Sequence, residues 1–232
     1  MMTENPAAGP VDVTLTAGPT GPESIDDFEL FYARRALSRF RARLGRQGLL
    51  DLLAADIDEG NAFLRASARD SGGTFTGGTT VLRTRGLRAG EFLSWMNTAF
   101  ADENVLLAAQ PEHYVMVNEA DGTVNVVENI GPHICSFYLG DWAAEAMAWS
   151  ADAPELLPQA EFPYKKATNL FLADGTIVGR VLIQFGDTEE GFTSNLTVYL
   201  PTSCGDDVLD HHLRHFAVEF RNWILAAAAD RG

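Results

Sequence analysis

The sequence predicts an α+β protein in which one curved antiparallel sheet is closed by a long C-terminal helix. Three observations predict it. Alternating, β-branched runs recur through residues 79–200. Asp-Gly turns join two pairs of these runs, at Asp121-Gly122 and Asp174-Gly175, and Asp-Gly between alternating runs is a strong hairpin signal. The last long segment, Asp206–Ala229, keeps an apolar period of 3.6 for about six turns.

Each element follows in order. Residues 1–23 hold four prolines and three glycines without periodicity and read as a disordered leader. From Ser24 a helical segment runs to residue 70. Ser24 can cap it, Asp26 and Asp27 suit its first turn, and Phe28, Phe31, Tyr32, Leu37 and Phe40 recur near helical spacing. A second helical stretch, Gln47–Arg69, carries Leu49, Leu50, Leu53, Ile57 and Phe63. Six arginines (Arg34, Arg35, Arg39, Arg41, Arg43 and Arg46) cluster in the first stretch and read as a solvated face. The glycine-rich run Ser71–Gly78 marks a boundary, and residues 79–230 form the principal domain. Thr79–Arg85 is a strand, and Ala89–Phe100 an amphipathic helix with Phe92, Trp95, Met96 and Phe100 inward. The first hairpin pairs His113–Glu119 with Thr123–Glu128, and Ile134–Leu139 is a further strand. Residues 141–163 form a connection with a helical start. Ala167–Ala173 and Thr176–Gly186 make the second hairpin, and Phe192–Leu200 is the last strand. This order suggests a helix-grip arrangement, with a cavity between sheet and helix suited to a small ligand.

Composition narrows the function. Lys and Arg total 17 against 32 Asp and Glu, a formal charge of −15. That field repels a polyanion, so nucleic-acid binding is disfavoured. Residues 1–21 have neither a basic start nor an apolar run, and no stretch approaches the roughly 18 apolar residues of a membrane span. Cys135 and Cys204 are far apart and lack a CxxC partner, which reads as two reduced thiols in a cytoplasmic protein. No P-loop, dinucleotide-binding glycine motif or GxSxG elbow is present.

The chemistry concentrates on histidines and glutamates. Three of the five histidines, His211, His212 and His215, lie close together on the last helix, and His215 and Glu219 are one turn apart on one face. The core stripe there is Leu209, Leu213, Phe216, Phe220, Ile224 and Ala227. Glu219 lies roughly 80° and His215 roughly 120° from its centre, so both flank the buried face. On the first hairpin, a two- or four-residue loop pairs His113 with Ile130 and Val115 with Glu128. His113 and Glu128 then become diagonal neighbours about 7–8 Å apart on one face. A three-residue loop would put them on opposite faces. Two imidazoles and two carboxylates from sheet and helix could close around a divalent cation. Mixed nitrogen and oxygen donors suit Zn²⁺ best, with Mn²⁺ or Fe²⁺ also accommodated. His133 is expected on the face opposite Glu128, and Trp95, Trp142, Trp149 and Trp223 are expected in the core.

At these residues the chain resembles the diacetylphloroglucinol/phloretin hydrolase family. The segments Gln110–Tyr114, Val126–Gly131 and His215–Glu219 look like that family's metal-binding motifs, and the likeness covers roughly residues 80–225. It implies a helix-grip, Bet v 1-like domain holding zinc on His113, Glu128, His215 and Glu219. It also implies hydrolysis of the carbon–carbon bond between an acyl group and a polyhydroxylated aromatic ring. The stretch from His113 to Glu128 is shorter than in the family, and Glu119 is the nearest substitute for Glu128. For such a reaction, His212, Tyr114 and Tyr138 are the candidates for positioning phenolic hydroxyls, on a small aromatic or polyketide-like substrate. A homodimer is compatible with this reading. The rival is a metal-free helix-grip cyclase, aromatase or carrier of a hydrophobic molecule. A third reading is an interaction module docking through the arginine-rich helix.

Overall fold

The computed structural model describes residue 15 and residues 24–140 and 155–231. The expected leader at 1–23 lies almost wholly outside the described residues, as do residues 141–154 with Trp142 and Trp149. The chain divides into two compact units, Met1–Arg43 and Leu44–Gly232.

Helix α1 (Ile25–Asp70) is two helices joined at Gly45, whose φ of 63° and ψ of 177° break the helical ladder. A glycine tolerates that left-handed φ without the Cβ clash other residues incur. In the first unit, the Ser24 hydroxyl accepts from the Asp27 amide at 3.1 Å, and the Asp27 carboxylate accepts from the Ser24 amide at 2.7 Å. This reciprocal cap starts the helix. Helical spacing does not bury all of the apolar residues that recur there. Phe31, Tyr32 and Phe40 are 58%, 55% and 65% exposed, and the Arg35 guanidinium lies over the Phe31 and Tyr32 rings.

The second unit holds the sheet. Its strands are β1 (Phe75–Arg85), β2 (His113–Asn118), β3 (Val124–Ile130), β4 (His133–Leu139), β5 (Tyr164–Phe171), β6 (Ile177–Asp187) and β7 (Gly191–Pro201). They form one antiparallel sheet in the order β1-β7-β6-β5-β4-β3-β2. Two helices, α2 (Ala89–Ala99) and α3 (Glu103–Ala109), connect β1 to β2, and α4 (Asp206–Ala229) follows β7. The seven strands curve about α4, which is the α+β helix-grip arrangement expected from element order.

Two local departures from the sequence reading have clear causes. Strand β1 starts at Phe75, so Gly77 and Gly78 of the boundary run belong to it, whereas Gly72 and Gly73 turn the chain before it at φ of 56° and 87°. At Gly77 a Cβ would lie 2.6 Å from the Tyr199 ring, and at Gly78 2.7 Å from Leu213 of α4. Close approach of the Tyr199 ring of β7 at Gly77 and of α4 at Gly78, not a turn, favours glycine there. The short helix α3 escapes the periodicity reading because seven residues are too few to show a period. Its N-terminus is nonetheless capped, with the Asp102 carboxylate accepting from the Asn104 amide at 2.9 Å.

The sheet opens between β4 and β5, which pair only at Tyr138–Phe171 and Leu139–Leu170. The second half of α1 covers the exposed edge of β4. Asn61 accepts from the Ser136 amide at 2.9 Å, and Leu49, Gly60, Leu64 and Ser67 are buried. A helix over the edge satisfies backbone groups that would otherwise invite strand addition.

No helix among the described residues is long and apolar enough to cross a membrane. Cys135 and Cys204 are free and buried. Burial, reinforced by the nearby Glu128 charge, pushes the Cys135 thiol up to about 12, and burial also raises Cys204. Thiols so shifted stay protonated and unreactive at neutral pH.

Candidate metal centre

The site begins with a bulge. Val115 pairs with Val127 and Met116 with Val126, a register centred on a five-residue connection from Glu119 to Thr123. Continued regularly, it would oppose His113 to Asn129 and send His113 and Glu128 to opposite faces. Instead the register shifts between His113 and Val115, and His113 lies directly across from Glu128. The extra residue, Tyr114, restores the shared face that an odd-length loop alone would forbid. The diagonal pairing expected from an even loop is therefore replaced by a direct one.

The second half of the site comes from α4. His212, His215 and Glu219 are buried, as are Phe216, Phe220 and Trp223. The edge carrying His215 is covered by α3 and the residue after it: Asn222 donates to the Ala109 carbonyl at 2.6 Å, and Gln110 donates to the His215 carbonyl at 3.1 Å. Without that cover, His215 and Glu219 would lie at the solvent edge of the stripe.

Sheet and helix bring four donor atoms together. His113 Nε2 lies 3.0 Å from His215 Nε2, 3.1 Å from Glu128 Oε2 and 3.5 Å from Glu219 Oε1. His215 Nε2 lies 3.4 Å from the same Glu128 oxygen. His113, His215 and Glu219 each offer a ligand atom within 4.8 Å of the others, and this buried group could hold a metal ion. Ligands about 2.0–2.1 Å from a tetrahedral ion are separated by about 3.3–3.4 Å. The observed spacings bracket that edge.

The outer nitrogens agree with such a role. His113 Nδ1 lies 3.3 Å from the Leu106 carbonyl oxygen, which can only accept, so this nitrogen carries the proton. His215 Nδ1 faces the Glu112 carboxylate at 3.6 Å, close enough for attraction and too long for a good hydrogen bond. In a neutral ring with its proton on Nδ1, Nε2 is a bare acceptor. Both imidazoles thus turn acceptors toward two carboxylates. Acceptors this close repel unless a cation or shared protons lie among them, and a carbonyl or carboxylate behind each histidine is the usual outer shell of a metal ligand.

Protons fill that need when no cation is present. Burial opposes charge on His215, but the Glu128, Glu112 and Glu219 carboxylates outweigh it and raise its pKa to about 10. Burial also favours neutral Glu128, yet His215 and His113 hold its carboxyl well below the usual range. Burial raises Glu219 to about 7. Metal ligation must displace these protons. Zinc uptake at pH 7 is therefore expected to release between one and two protons, measurable by calorimetry in buffers of different ionisation enthalpy. The linked stability has a definite sign. A histidine raised from 6.5 to about 10 stabilises the metal-free fold fully below pH 6.5 and loses that contribution as pH rises toward 10. Chelated protein should lose stability between pH 7 and 10 more steeply than zinc-loaded protein.

The cluster borders a cavity of about 290 Å³ whose wall includes Phe92, Met96, Phe137, Phe185, Phe220 and Trp223. That volume is near the lower end for small-molecule sites. Glu128, Glu219 and His212 line it, whereas His113 and His215 stand behind them. His212 is buried, its Nε2 is 4.0 Å from Glu128 Oε1, and burial lowers its pKa to about 4. It is neutral at pH 7, and its Nδ1 has no hydrogen-bond partner among the described residues.

The other expected residues lie elsewhere. The Tyr114 hydroxyl donates to Asn129 at 2.9 Å, because the bulge turns this side chain from the Glu128 face. Tyr138 stacks on Phe171 and borders a separate surface hollow with Glu119. Alternation on β4 sends Phe137 and Leu139, not Tyr138, to the cavity. Neither tyrosine lines the cavity, and exposed Glu119 is no substitute for Glu128. His133 pairs with Ile130 across the Gly131-Pro132 turn, on the Glu128 side of the sheet and not the opposite one. Its ring stacks on Phe63 at 4.0 Å and takes no part in the cluster. Sequence reasoning missed Glu112 behind His215, and Lys166 on the cavity wall. Adjacency to His113 was a usable signal for the first, and alternation along β5 for the second.

Comparison with known proteins leaves the family open. No family model matches the chain, and no curated protein matches it. Among solved structures, Ara h 8.0201 is similar at 10% identity and a TM-score of 0.44, over 67% of this chain and 99% of that one. A protein of unknown function from Staphylococcus aureus is similar at 8% identity and a TM-score of 0.41, over 68% and 97%. An uncharacterized protein from Rhizobium leguminosarum is similar at 12% identity and a TM-score of 0.36, over 67% and 97%.

Proposed function

We propose that the protein is a zinc-dependent hydrolase that cleaves a carbon–carbon bond of an acylated phenolic or β-dicarbonyl small molecule. The observation that carries this reading is the buried group of His113, His215 and Glu219, whose ligand atoms lie within 4.8 Å of one another, with Glu128 in contact with both imidazoles and Glu128 and Glu219 on the wall of an apolar cavity. The resemblance to the diacetylphloroglucinol/phloretin hydrolases names the same four residues. His113, His215 and Glu219, with Glu128 beside them, would hold a divalent ion, which would supply polarisation of a carbonyl and a lowered pKa of bound water.

The chain's own residues supply orientation and dryness. Phe92, Phe137, Phe185 and Phe220 hold an aromatic body and exclude bulk water, which strengthens polar contacts within. Neutral His212 accepts a hydrogen bond from a phenolic hydroxyl on the cavity side. The overall reaction adds the hydroxyl of water to the acyl carbon and a proton to the ring carbon, giving a carboxylic acid and a free phenol.

Zinc-loaded protein is expected to convert monoacylated polyhydroxybenzenes to these two products in ¹⁸O-water, with one label in the acid by mass spectrometry. Glu219→Gln should abolish turnover. Unchanged substrate recovered from zinc-loaded protein overturns the proposal. The cavity's apolar lining by itself favours a second reading, a carrier of a hydrophobic small molecule. Tight binding of an uncleaved ligand by metal-free protein supports that one.

A further inference from the structure

Among the described residues, the cavity wall carries a single lysine or arginine. Lys166 lies on β5 directly across from Ile183, itself a wall residue, and both belong to the inner face with Leu170. Its neighbours point the other way. Ala167 packs outside against Leu182 and Tyr199, and Lys165 donates to Gln184 at 3.1 Å. Alternation therefore places the Lys166 side chain on the same wall as Leu170, Val181, Ile183 and Phe185. No described carboxylate pairs with Lys166, and burial lowers its pKa. A half-buried cation without a counter-charge costs stability, whereas leucine or methionine would fill the same space at no such cost. The protein's charge of −15 and the carboxylates of Glu128 and Glu219 on the same wall repel an incoming anion unless one cation receives it.

We infer that Lys166 sets the specificity of the cavity, and that its ligand is a small apolar body bearing an oxyanion, carboxylate or phenolate, which pairs with the Lys166 ammonium. This rests on reading the cavity as a small-molecule site, not on the metal. The anionic group lies against β5 while another part of the ligand meets the His/Glu cluster. Phe92 of α2 and Phe185 of β6, in edge-to-face contact at a centroid distance of 5.7 Å, form one aromatic wall against the body.

Two probe pairs test it by fluorescence titration of the full chain, zinc-loaded and chelated. They are naphthalene-2-carboxylate against naphthalene-2-carboxamide, and 2,4-dinitrophenolate against 2,4-dinitroanisole. In the chelated protein, where no ion can attract an anion, at least one anion is expected to bind about tenfold tighter than its neutral partner, the size of one charge-assisted hydrogen bond. Which pair shows it identifies the oxyanion. Lys166→Met should erase the preference while changing neutral-probe affinity by less than about twofold, and Lys166→Arg should keep it. A preference that persists in Lys166→Met, or no preference in the wild type, overturns the inference. Failure of every probe to bind overturns the cavity reading with it. A Lys166-dependent preference in a protein that takes up no zinc leaves the inference standing and removes only the metal.

Discussion

Zinc at a hundred times its dissociation constant is expected to raise the stability of the wild-type protein by about 2.7 kcal/mol, and to leave His215→Ala unmoved. At about 2–4 °C per kcal/mol for a chain of this size, the melting temperature should rise by roughly 5–10 °C. The purified protein should carry about one equivalent of zinc, and the variant none. The size of the effect follows from where His215 stands. It contributes one of the atoms of the buried His113, His215 and Glu219 group, lies 3.0 Å from the His113 nitrogen, and is itself buried. Glu112→Ala provides a graded control. Its carboxylate only faces the far nitrogen of the ring, so affinity should fall by roughly 10–100-fold without loss of the site. A zinc-induced shift retained by His215→Ala, or none in the wild type, removes the metal centre from the description.

Gly60→Ala is expected to cost about 3 kcal/mol or more, although alanine is the better helix former by about 1 kcal/mol. The two effects have opposite signs, and the contact decides between them. A Cβ on Gly60 would lie 2.0 Å from the Ile134 carbonyl oxygen and 3.0 Å from the Cys135 sulfur. The obstacle is chiefly backbone, which cannot rotate aside. Helix α1 would have to lift from the β4 edge, taking with it the bond from the Ser136 amide to Asn61. Cys135 lies directly across from Glu128, so the disturbance should reach the site as well. Denaturant unfolding measures the cost, and a Gly60→Ala protein as stable as wild type would show that the helix is not seated on that strand.

Much of this was legible along the chain because it is local. The two Asp-Gly turns fix their hairpins through a glycine at positive φ, 90° at Gly122 and 83° at Gly175. The last helix runs over Asp206–Ala229, the limits its apolar period predicts, because an amphipathic stripe is a property of consecutive residues. The chemical identity of the donors was equally local: a histidine in a Glu-His pair, a glutamate in a β-branched run, and a His–Glu pair one turn apart. The sequence by itself therefore determined the class of the fold, its closing helix and the candidate side chains, of which His113, His215 and Glu219 form a group that could hold an ion. Whether they meet was decided only by tertiary structure. A bulge at Tyr114, which no turn residue announces, reverses the parity of β2 and returns His113 to the face of Glu128. Helix α3, too short to show a period, covers the edge of α4 and withdraws His215 and Glu219 from water. Strand parity and burial both depend on partners distant along the chain. For that reason the same reading that found the candidate side chains could not say which tyrosines faced the cavity.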